Sequence, residues 1–511
     1  MESSKRLKPI NTGRNANTVA NTKMEEEEPL TPTARLLHAP QLNCFVIAVM
    51  GCKTMINVNV IKEGLKHTLV KHPRFSSNLV LDPRKGGQPT GWTRTEVIID
   101  DHVIIPDLDP NTDSPDRFIE DYVSSLTTTP MDLSKPLWEL HLLNIKTKEA
   151  NSIAVFRIHH SAGDGIYLMS IVLACTRQTA NPDALPTLPI SSNKKKPTMT
   201  SRPSCSLGLL SCFFGLMFIF TLLWNTLIDL AKFTATSLWL KDTKTPLKGG
   251  PGVGFTPKRY VYRTLSLDNI KLVKKALDVT INDVVLGITQ AGISYYLNRK
   301  YGELKGEQKA KFDNLPKHIR FRSSVIVNLR PVSTIENLAE NMEASTKGKW
   351  NCGNAIGYVH LPFHIAIRND PLDYIRNAKA TMDRKKHSLE ALCTYKITRI
   401  VLKTLGLRAI AALVYRVISH PSLVFSNVVG PKEEISFFGH PIAFIAPSAC
   451  GLPQALIVHF QSYMDKMTLI LAIDQDVIPD PQTLCDDIEE SLRLAYKAII
   501  EQNLSVAEPG F

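Results

Sequence analysis

The chain has 511 residues, of which 44% are hydrophobic and 21% are charged, a balance typical of folded globular proteins and not of disordered ones. Because this length exceeds what one hydrophobic core usually serves, we expect two domains of ordinary size. The net charge of +12 favours a polyanionic partner, such as nucleic acid, an anionic lipid surface or a polyanionic small molecule, without choosing among them.

Cysteine use and short motifs narrow the class of protein. The nine cysteines are scattered and form no C-x-x-C pair, which argues against a zinc site and against a secreted disulfide framework. The first 24 residues are polar and carry no secretory signal, so we expect a reducing, cytosol-facing location. The chain also lacks the phosphate loop, the dinucleotide fingerprint and the G-x-S-x-G motif. We therefore expect no metal ion and no bound cofactor.

The first part of the chain predicts a tail followed by a folded region. Residues 1–28 end in four glutamates and are expected to be a disordered tail. Residues 29–180 are expected to form the first folded half. Apolar spacing there predicts, in order, a strand at 44–50, a helix at 58–71, a helix that Ser114 or Asp116 caps, strands at 137–145 and 152–159, and a helix at 166–176.

A linker region at 181–257 follows, and it contains the most apolar stretch of the chain. Residues 203–228 include no charged side chain, and as a helix they would extend roughly 39 Å, more than the hydrocarbon core of about 30 Å. Hydropathy therefore predicts a single transmembrane helix. The lysines at 194–196 lie just before it, where they would attract anionic lipid. The glycine-rich residues 249–254 match no phosphate loop and predict a flexible linker.

Residues 258–502 are expected to form the second folded half. Their patterns predict a helix that Asn282 caps, strands at 323–329, 357–367 and 423–429, a meander that passes through Phe444, 456–460 and 467–473, and helices at 371–392 and 481–500. Helices and strands mix in both halves without strict βαβ alternation. This order predicts α+β layers and argues against a Rossmann sheet.

The segment His159-His160-Ser161-Ala162-Gly163-Asp164-Gly165 joins a predicted strand to a predicted helix. Neutral imidazole, with a pKa near 6.5, suits proton abstraction at neutral pH. Because alternate strand residues face opposite sides, His159 and His160 cannot both point at one reacting atom. We expect one histidine to be a base and the other a structural hydrogen-bond donor. Asp164 is placed to hold the loop by an ion pair, and Gly163 and Gly165 permit tight turns.

This segment resembles the H-H-x-x-x-D-G signature of the coenzyme A-dependent acyltransferase superfamily, which includes peptide-synthetase condensation domains. Further motifs, spread from residue 29 to about residue 500, are similar to those of the plant wax ester synthase/diacylglycerol acyltransferase family. They are Pro29-Leu30-Thr31-Pro32 for its P-L-S-P start, Pro136-Leu137-Trp138 for its P-L-W element, Asn282-Asp283-Val284-Val285-Leu286 for N-D-V-x-L, and Asn427-Val428-Val429-Gly430-Pro431 for N-V-x-G-P.

The resemblance implies two chloramphenicol-acetyltransferase-like sandwich domains with an active-site tunnel between them. It makes His160 the general base within a catalytic motif that also contains His159, Asp164 and Gly165. It further implies that Asp164 pairs with Arg330 of the V-N-L-R segment, with Gly163 in support. Substrate contacts are expected from Trp138, Asn282 and Asn427, although a tryptophan on a strand is more often a core residue and Asn282 could equally cap a helix.

The activity that the resemblance implies is transfer of an acyl group from acyl-CoA, as co-substrate, to a fatty alcohol or to diacylglycerol, without a covalent enzyme intermediate. One alternative is a BAHD-like acyltransferase with a polar acceptor, but the D-F-G-W-G motif of that family is absent. Another is a catalytically silent lipid-binding protein, which the intact histidines and aspartate argue against. No nucleic-acid module accompanies the positive charge, so nucleic acid is not an expected partner.

Membrane association has to be compatible with this tunnel. A single crossing by residues 203–228 would place the two halves on opposite sides of the bilayer, where His160 could not meet walls from Asn282 and Asn427. A re-entrant hairpin or an interfacial helix satisfies both requirements. We therefore expect monotopic association with the cytosolic face of the endoplasmic reticulum membrane, with the plasma membrane as a second candidate location.

Overall fold

The computed structural model describes residues 27–107, 114–188, 205–305, 313–329, 335–343 and 354–507. These residues form two large sheets and one small sheet, covered by helices, so the predicted α+β class is confirmed. Of the predicted tail, residues 1–26 lie outside the described ranges, whereas Glu28 already belongs to a short strand.

The elements before the long apolar helix alternate between short helices and strands. The helix at 58 begins where the Asn57 side chain caps it, and it buries Ile61 and Leu65. It ends at His67, four residues before the predicted end, because residues 69–71 form a separate 3-10 turn. In chain order the elements are β1 (Glu28–Pro29), α1 (Pro32–Leu36), β2 (Phe45–Cys52), α2 (Val58–His67), β3 (Ser77–Asp82), β4 (Gln88–Arg94), β5 (Val103–Ile104), α3 (Pro115–Leu126), β6 (Trp138–Leu143), β7 (Ser152–His159), α4 (Gly165–Ala174) and β8 (Thr176–Gln178).

The remaining elements include five helices longer than any in the first part. One of these is interrupted at Gly406, where a φ of 80° breaks the helix into two, a backbone conformation that favours glycine. In chain order the elements are α5 (Cys205–Leu238), β9 (Lys258–Ser266), α6 (Leu267–Leu277), α7 (Ile281–Leu304), β10 (Phe321–Asn328), α8 (Ile335–Glu343), β11 (Ile356–Phe363), α9 (Leu372–Lys386), α10 (Glu390–Ser419), β12 (Leu423–Val428), β13 (Ile435–Phe437), β14 (His440–Cys450), β15 (Leu456–Tyr463), β16 (Lys466–Asp474) and α11 (Pro481–Ala507).

The first sheet takes strands from both predicted halves. Its order is β5-β6-β7-β2-β14-β13-β8, and β14 pairs antiparallel with β2 from Ile442 opposite Cys52 to Cys450 opposite Phe45. The predicted meander is therefore wrong, because β14 belongs to the first sheet, whereas β15 and β16, which follow it in sequence, belong to the second. This position buries both faces of β14: Ile442 lies in the core beneath the first sheet, and Phe444 lies in the core between the sheets.

The second sheet has the order β11-β10-β12-β15-β16-β9, in which β12 is parallel to both β10 and β15. Helices α7, α9 and α11 cover its outer face through a large apolar core. Gly287 and Gly292 let α7 approach its neighbours closely, since an added Cβ would lie 2.7 Å from the Ile375 Cα and 2.8 Å from the Ile488 Cα. Close packing of this kind gives the second half a rigid wall.

A third apolar core joins the inner faces of the two sheets. It includes Val49 and Ile153 from the first sheet and Ile457 and Ile470 from the second, all buried. Because strands and core are shared in this way, residues before and after α5 form one interleaved body. Both parts of the chain must therefore lie on the same side of any membrane that α5 contacts.

Helix α5 is docked at its C-terminal end and exposed toward its N-terminal end. Asp229 is buried and forms an ion pair with Lys385 at 3.0 Å and another with Arg384, while Arg322 donates to the Thr236 hydroxyl at 2.6 Å. Residues 212–221 are exposed on every face of the helix. Among the described residues, Cys212–Leu238 is the one helix long and apolar enough to cross a membrane, judged by length and composition.

Candidate active site

The H-H-S-A-G-D-G segment lies where β7 ends and α4 begins. All eight residues of β7 are buried between β2 and β6, so the strand holds the segment firmly from behind. Residues 160–162 form one 3-10 turn, and Asp164 caps α4 by accepting a hydrogen bond from the Tyr167 N–H at 3.0 Å. The catalytic motif therefore lies at a fixed junction between a central strand and a helix.

His160 faces an internal cavity, as strand alternation predicts. Phe156, Ile158 and His160 line the cavity, whereas Arg157 and His159 do not. The His160 backbone N–H donates to the Cys44 carbonyl at 2.9 Å. The residue as a whole is 8% exposed. Burial lowers the pKa of His160, while the Asp164 carboxylate acts in the opposite direction. The imidazole is therefore neutral at physiological pH and available to accept a proton.

His159 is fully engaged on the other face of the strand. Its Nε2 lies 3.0 Å from the Asn43 amide oxygen, and its Nδ1 lies 2.7 Å from the Ser161 hydroxyl. Since the amide oxygen can only accept, the Nε2 carries the proton. The ring also stacks on His38 with centroids 4.1 Å apart. His159 therefore supports the junction and has no face toward the cavity.

Asp164 lies at the cavity wall as well as at the helix cap. The Asn328 amide is 3.5 Å from its Oδ1, which links the motif to the end of β10. Arg330, the expected partner, lies outside the described residues, so the Asp164–Arg330 ion pair stays a prediction.

The two glycines of the motif differ in role. An added Cβ at Gly163 would lie 2.6 Å from the Tyr167 Cδ1, so close packing keeps this position small; its φ of 177° is ordinary extended backbone. An added Cβ at Gly165 would meet no described atom within 4 Å, and Gly165 lines the cavity. Gly165 therefore leaves room on the side from which a substrate would approach.

The cavity has a volume of about 190 Å³ and is lined by strands of both sheets. Most of its wall is apolar, with Met50 and Ile445 from the first sheet and Val424 and Phe425 from the second. A few polar groups interrupt this wall, as is typical of ligand sites that orient an apolar molecule. The polar residues of the wall, together with the second glycine of the motif, are His160, Asp164, Gly165, Thr176, Asn328, Ser426, Asn427, Ser448 and His459.

Asn282 and Asn427 are brought together, as the tunnel interpretation expects. The Asn427 amide donates to the Asn282 Oδ1 at 2.6 Å, and Asn427 lines the cavity. The predicted cap is wrong, because Thr280 caps α7 in a reciprocal arrangement with Asp283. The Asn282 side chain is thereby left to meet Asn427 of β12; Asn282 itself is exposed and does not line the cavity.

Trp138 lies in the core of the first half, away from the described cavity wall. Its Nε1–H donates to the Phe75 carbonyl at 3.0 Å, and its ring stacks on His102 with centroids 4.3 Å apart. The residue is 1% exposed. These contacts are those of a packing residue, the alternative that sequence patterning leaves open.

Three further residues at the site carry no recognisable sequence signal. Asn354, just before β11, donates from its side-chain amide to the His160 carbonyl at 2.8 Å. His459 of β15 and Ser448 of β14 both line the cavity and are hydrogen-bonded to each other at 3.0 Å. A single polar residue within an apolar strand run was the one available hint for His459. Within the described ranges, no group of three or more acidic, histidine or cysteine side chains is arranged to hold a metal ion.

Comparisons with known proteins are consistent over nearly the whole chain. Residues 30–285 match the family model described as wax ester synthase/diacylglycerol acyltransferase catalytic domain, and residues 352–495 match its C-terminal domain. The chain is 49% identical over 483 residues to wax ester synthase/diacylglycerol acyltransferase 11 of Arabidopsis thaliana, covering 94% of this chain and 96% of that protein. It is 48% identical to wax ester synthase/diacylglycerol acyltransferase 5 of the same species, covering 96% of this chain and 98% of that protein.

Among solved structures, the fold is similar to the wax ester synthase/diacylglycerol acyltransferase from Marinobacter aquaeolei VT8. The TM-score is 0.55 at 18% identity, over 92% of this chain and 99% of that one. It is also similar to the first condensation domain of the CDA synthetase, with a TM-score of 0.54 at 14% identity. This match covers 93% of this chain and 96% of that one. At these identities the likeness concerns the fold, and it agrees with the two-domain architecture expected from the motif.

Proposed function

The chain belongs to the wax ester synthase/diacylglycerol acyltransferase family and is an acyl-CoA-dependent O-acyltransferase; we propose that its acceptors are long-chain fatty alcohols, giving wax esters, and diacylglycerol, giving triacylglycerol. The observation that carries this proposal is the position of His160, a buried neutral imidazole on the wall of an apolar cavity that both sheets line. Such a mostly apolar cavity suits hydrocarbon substrates.

In the proposed mechanism His160 acts as the general base in a complex of both substrates. Its imidazole takes the proton from the acceptor hydroxyl as the oxygen attacks the thioester carbonyl carbon. A carbon–oxygen bond forms, the carbon–sulfur bond breaks, and coenzyme A leaves as a thiolate that recovers the proton from His160. The products are an ester and free coenzyme A, and no covalent enzyme intermediate is needed.

His160 is proposed as the base in preference to His159 because only His160 faces the cavity. Both nitrogens of His159 are occupied by Asn43 and Ser161. By contrast, no described side chain is hydrogen-bonded to the His160 Nδ1, and the backbone carbonyls of His160 and Gly163 act on the ring by raising its pKa. We assign His159 and Asp164 the task of holding the strand–helix junction, so that the His160 ring keeps one orientation.

We further propose that α5 anchors the enzyme monotopically to the cytosolic face of the endoplasmic reticulum membrane. Residues 212–224, nearly all exposed, are roughly 20 Å long as a helix, enough to pass the middle of a hydrocarbon core of about 30 Å. The interleaved sheets support entry from one side, since a single crossing would separate β2 from β14. Anchoring would shorten the path of acyl-CoA and alcohol from the bilayer to the cavity.

Membranes that contain the full-length protein, supplied with labelled palmitoyl-CoA, test the acceptor assignment. Hexadecanol and dipalmitoylglycerol are offered together and separately, with His160→Ala membranes as the matched control. The proposal predicts labelled wax ester, triacylglycerol or both from the wild type and a loss of about 10²-fold or more in the variant. Trace, equal products from both proteins would refute it, and a labelled ester formed only with a polar alcohol would favour a BAHD-like acceptor.

A further inference from the structure

Two polar side chains on the cavity wall take no part in the mechanism described so far. Ser448 projects from β14 of the first sheet, and His459 projects from β15 of the second. The Ser448 Oγ and the His459 Nδ1 are 3.0 Å apart. This hydrogen bond therefore joins the two sheets at the cavity that His160 also lines.

The Ser448–His459 hydrogen bond leaves one ring N–H of His459 for a further partner. When the serine hydroxyl donates to Nδ1, the proton of His459 is on Nε2, and His459 lines the cavity. In the other tautomer the Tyr260 hydroxyl competes for the released serine hydroxyl. The Nε2–H tautomer therefore supplies the donor next to space that a substrate can occupy.

His459 is neutral under physiological conditions, so this donor is uncharged. Burial lowers the pKa of His459 to about 4, and the charge that His160 acquires on protonation acts in the same direction. Both rings line the same cavity. A neutral donor in an apolar cavity can face developing negative charge without first giving up an ion-pair partner.

We propose that the Ser448–His459 pair is the oxyanion donor of the reaction, hydrogen-bonding to the carbonyl oxygen of the acyl thioester. This inference rests on the proposed acyl transfer. As the acceptor oxygen attacks, the carbonyl π electrons move onto the carbonyl oxygen, and the His459 Nε2–H donates to it. The electron pair returns when the carbon–sulfur bond breaks, so the donor itself is unchanged.

The other polar groups of the wall are less suited to this role. The Asn427 amide gives one of its two N–H groups to Asn282, and the Asn328 amide lies against Asp164. The Thr176 hydroxyl donates to the Leu173 carbonyl at 2.8 Å. Ser426 is a further hydroxyl, directly opposite His459 in the register of β12 and β15. The proposal therefore distinguishes His459 from Ser426, and both positions enter the test.

The test compares full-length variants in membranes with palmitoyl-CoA and hexadecanol as substrates. His459→Met and His459→Gln are close in size, but only glutamine keeps an N–H donor. His360→Gln is the matched control, because His360 is also buried in the second sheet but does not line the cavity. Loss of one oxyanion donor should lower kcat by about 10²- to 10³-fold with little change in either KM.

The expected pattern is a large kcat loss in His459→Met, partial recovery in His459→Gln, and a smaller loss in Ser448→Ala and Ser426→Ala. The Ser448→Ala, His459→Met double variant should be no worse than His459→Met, since the two residues act as one unit. The proposal is overturned if His459→Met keeps wild-type kcat, if glutamine is no better than methionine, or if Ser426→Ala shows the larger loss.

A spectroscopic measurement covers the case in which His459→Met does not fold. The carbonyl stretch of ¹³C-labelled palmitoyl-CoA bound to the wild type should shift to lower frequency than in water, and Ser448→Ala should reduce the shift. An unshifted carbonyl in the wild type would contradict the inference. If the wild type is active, His160→Ala is inactive and His459→Met is unaffected, the donor assignment fails while the acyltransferase function stands.

Discussion

The side-chain amide of Asn354 donates a hydrogen bond to the backbone carbonyl of His160 at 2.8 Å. Asn354 is 1% exposed and lies just before β11, so the second half of the chain holds the His160 turn of the first. Together with the His160 N–H bond to Cys44, this contact fixes both backbone polar groups of His160. The candidate site is thus assembled by contacts that cross between the halves.

Replacing Asn354 by alanine should leave the buried His160 carbonyl without this partner. We expect a loss of roughly 1–3 kcal/mol in the free energy of unfolding and a decrease in kcat of about tenfold as the base loses its orientation. Substrate KM values should change little. Thermal melts and steady-state rates check this, with Asn354→Gln as the variant that retains an amide. A KM effect without a kcat effect would contradict a positioning role.

Trp138→Ala should act on stability and leave substrate binding unchanged. Removing a large ring from the core between Phe75, His102 and Phe156 typically costs about 3–5 kcal/mol. The measurement is a denaturant melt combined with the KM for acyl-CoA in the folded fraction. If KM rises while the melt is unchanged, Trp138 is a substrate contact after all.

Buried neutral histidines should make the protein less stable in mild acid. Burial lowers the pKa of His360 to about 3, with Arg322, Lys385 and His420 acting in the same direction and Asp229 opposing them. A lowered folded-state pKa means that the unfolded chain binds more protons below the unfolded value of 6.5, so stability is full above that pH and falls below it. Melting temperatures from pH 7.5 to 5 should decrease, and His360→Gln should flatten the slope. An unchanged slope would show that His360 does not contribute.

Charged substitutions on the exposed part of α5 should detach the enzyme from membranes. Leu216, Phe220 and Leu223 are 67%, 61% and 59% exposed, so their replacement by aspartate leaves the folded body intact while opposing insertion. Flotation with phospholipid vesicles measures this, and Leu304→Asp at the 75%-exposed end of α7 is the control. Both proteins floating equally would rule out α5 as the anchor.

In sealed microsomes, Lys53 and Lys241 should label from the same, cytosolic side.

Local patterns predicted the parts of the site that depend on neighbours in sequence. Strand alternation separated His159 from His160, and the mixed order of helices and strands indicated α+β layers. The predicted cap, Asn282, lies two residues after the observed cap, Thr280, because Thr280 and Asp283 form the better reciprocal pair. The exchange of β14 into the first sheet depends on contacts with β2, almost 400 residues earlier, and no local pattern encodes it. Asn354 and His459 also reach the site through contacts with residues distant in sequence or on another strand, so no local pattern marks them.

The central claim is that neutral His160 removes the acceptor proton, and one comparison tests it most directly. Initial rates of ester formation from palmitoyl-CoA and hexadecanol are measured at pH 7 for the wild type, His160→Ala and the buried control His360→Gln. The account predicts that His160→Ala lowers kcat by about 10²- to 10⁴-fold with acyl-CoA binding retained, while His360→Gln stays close to the wild type. Wild-type kcat in a folded His160→Ala protein would contradict it.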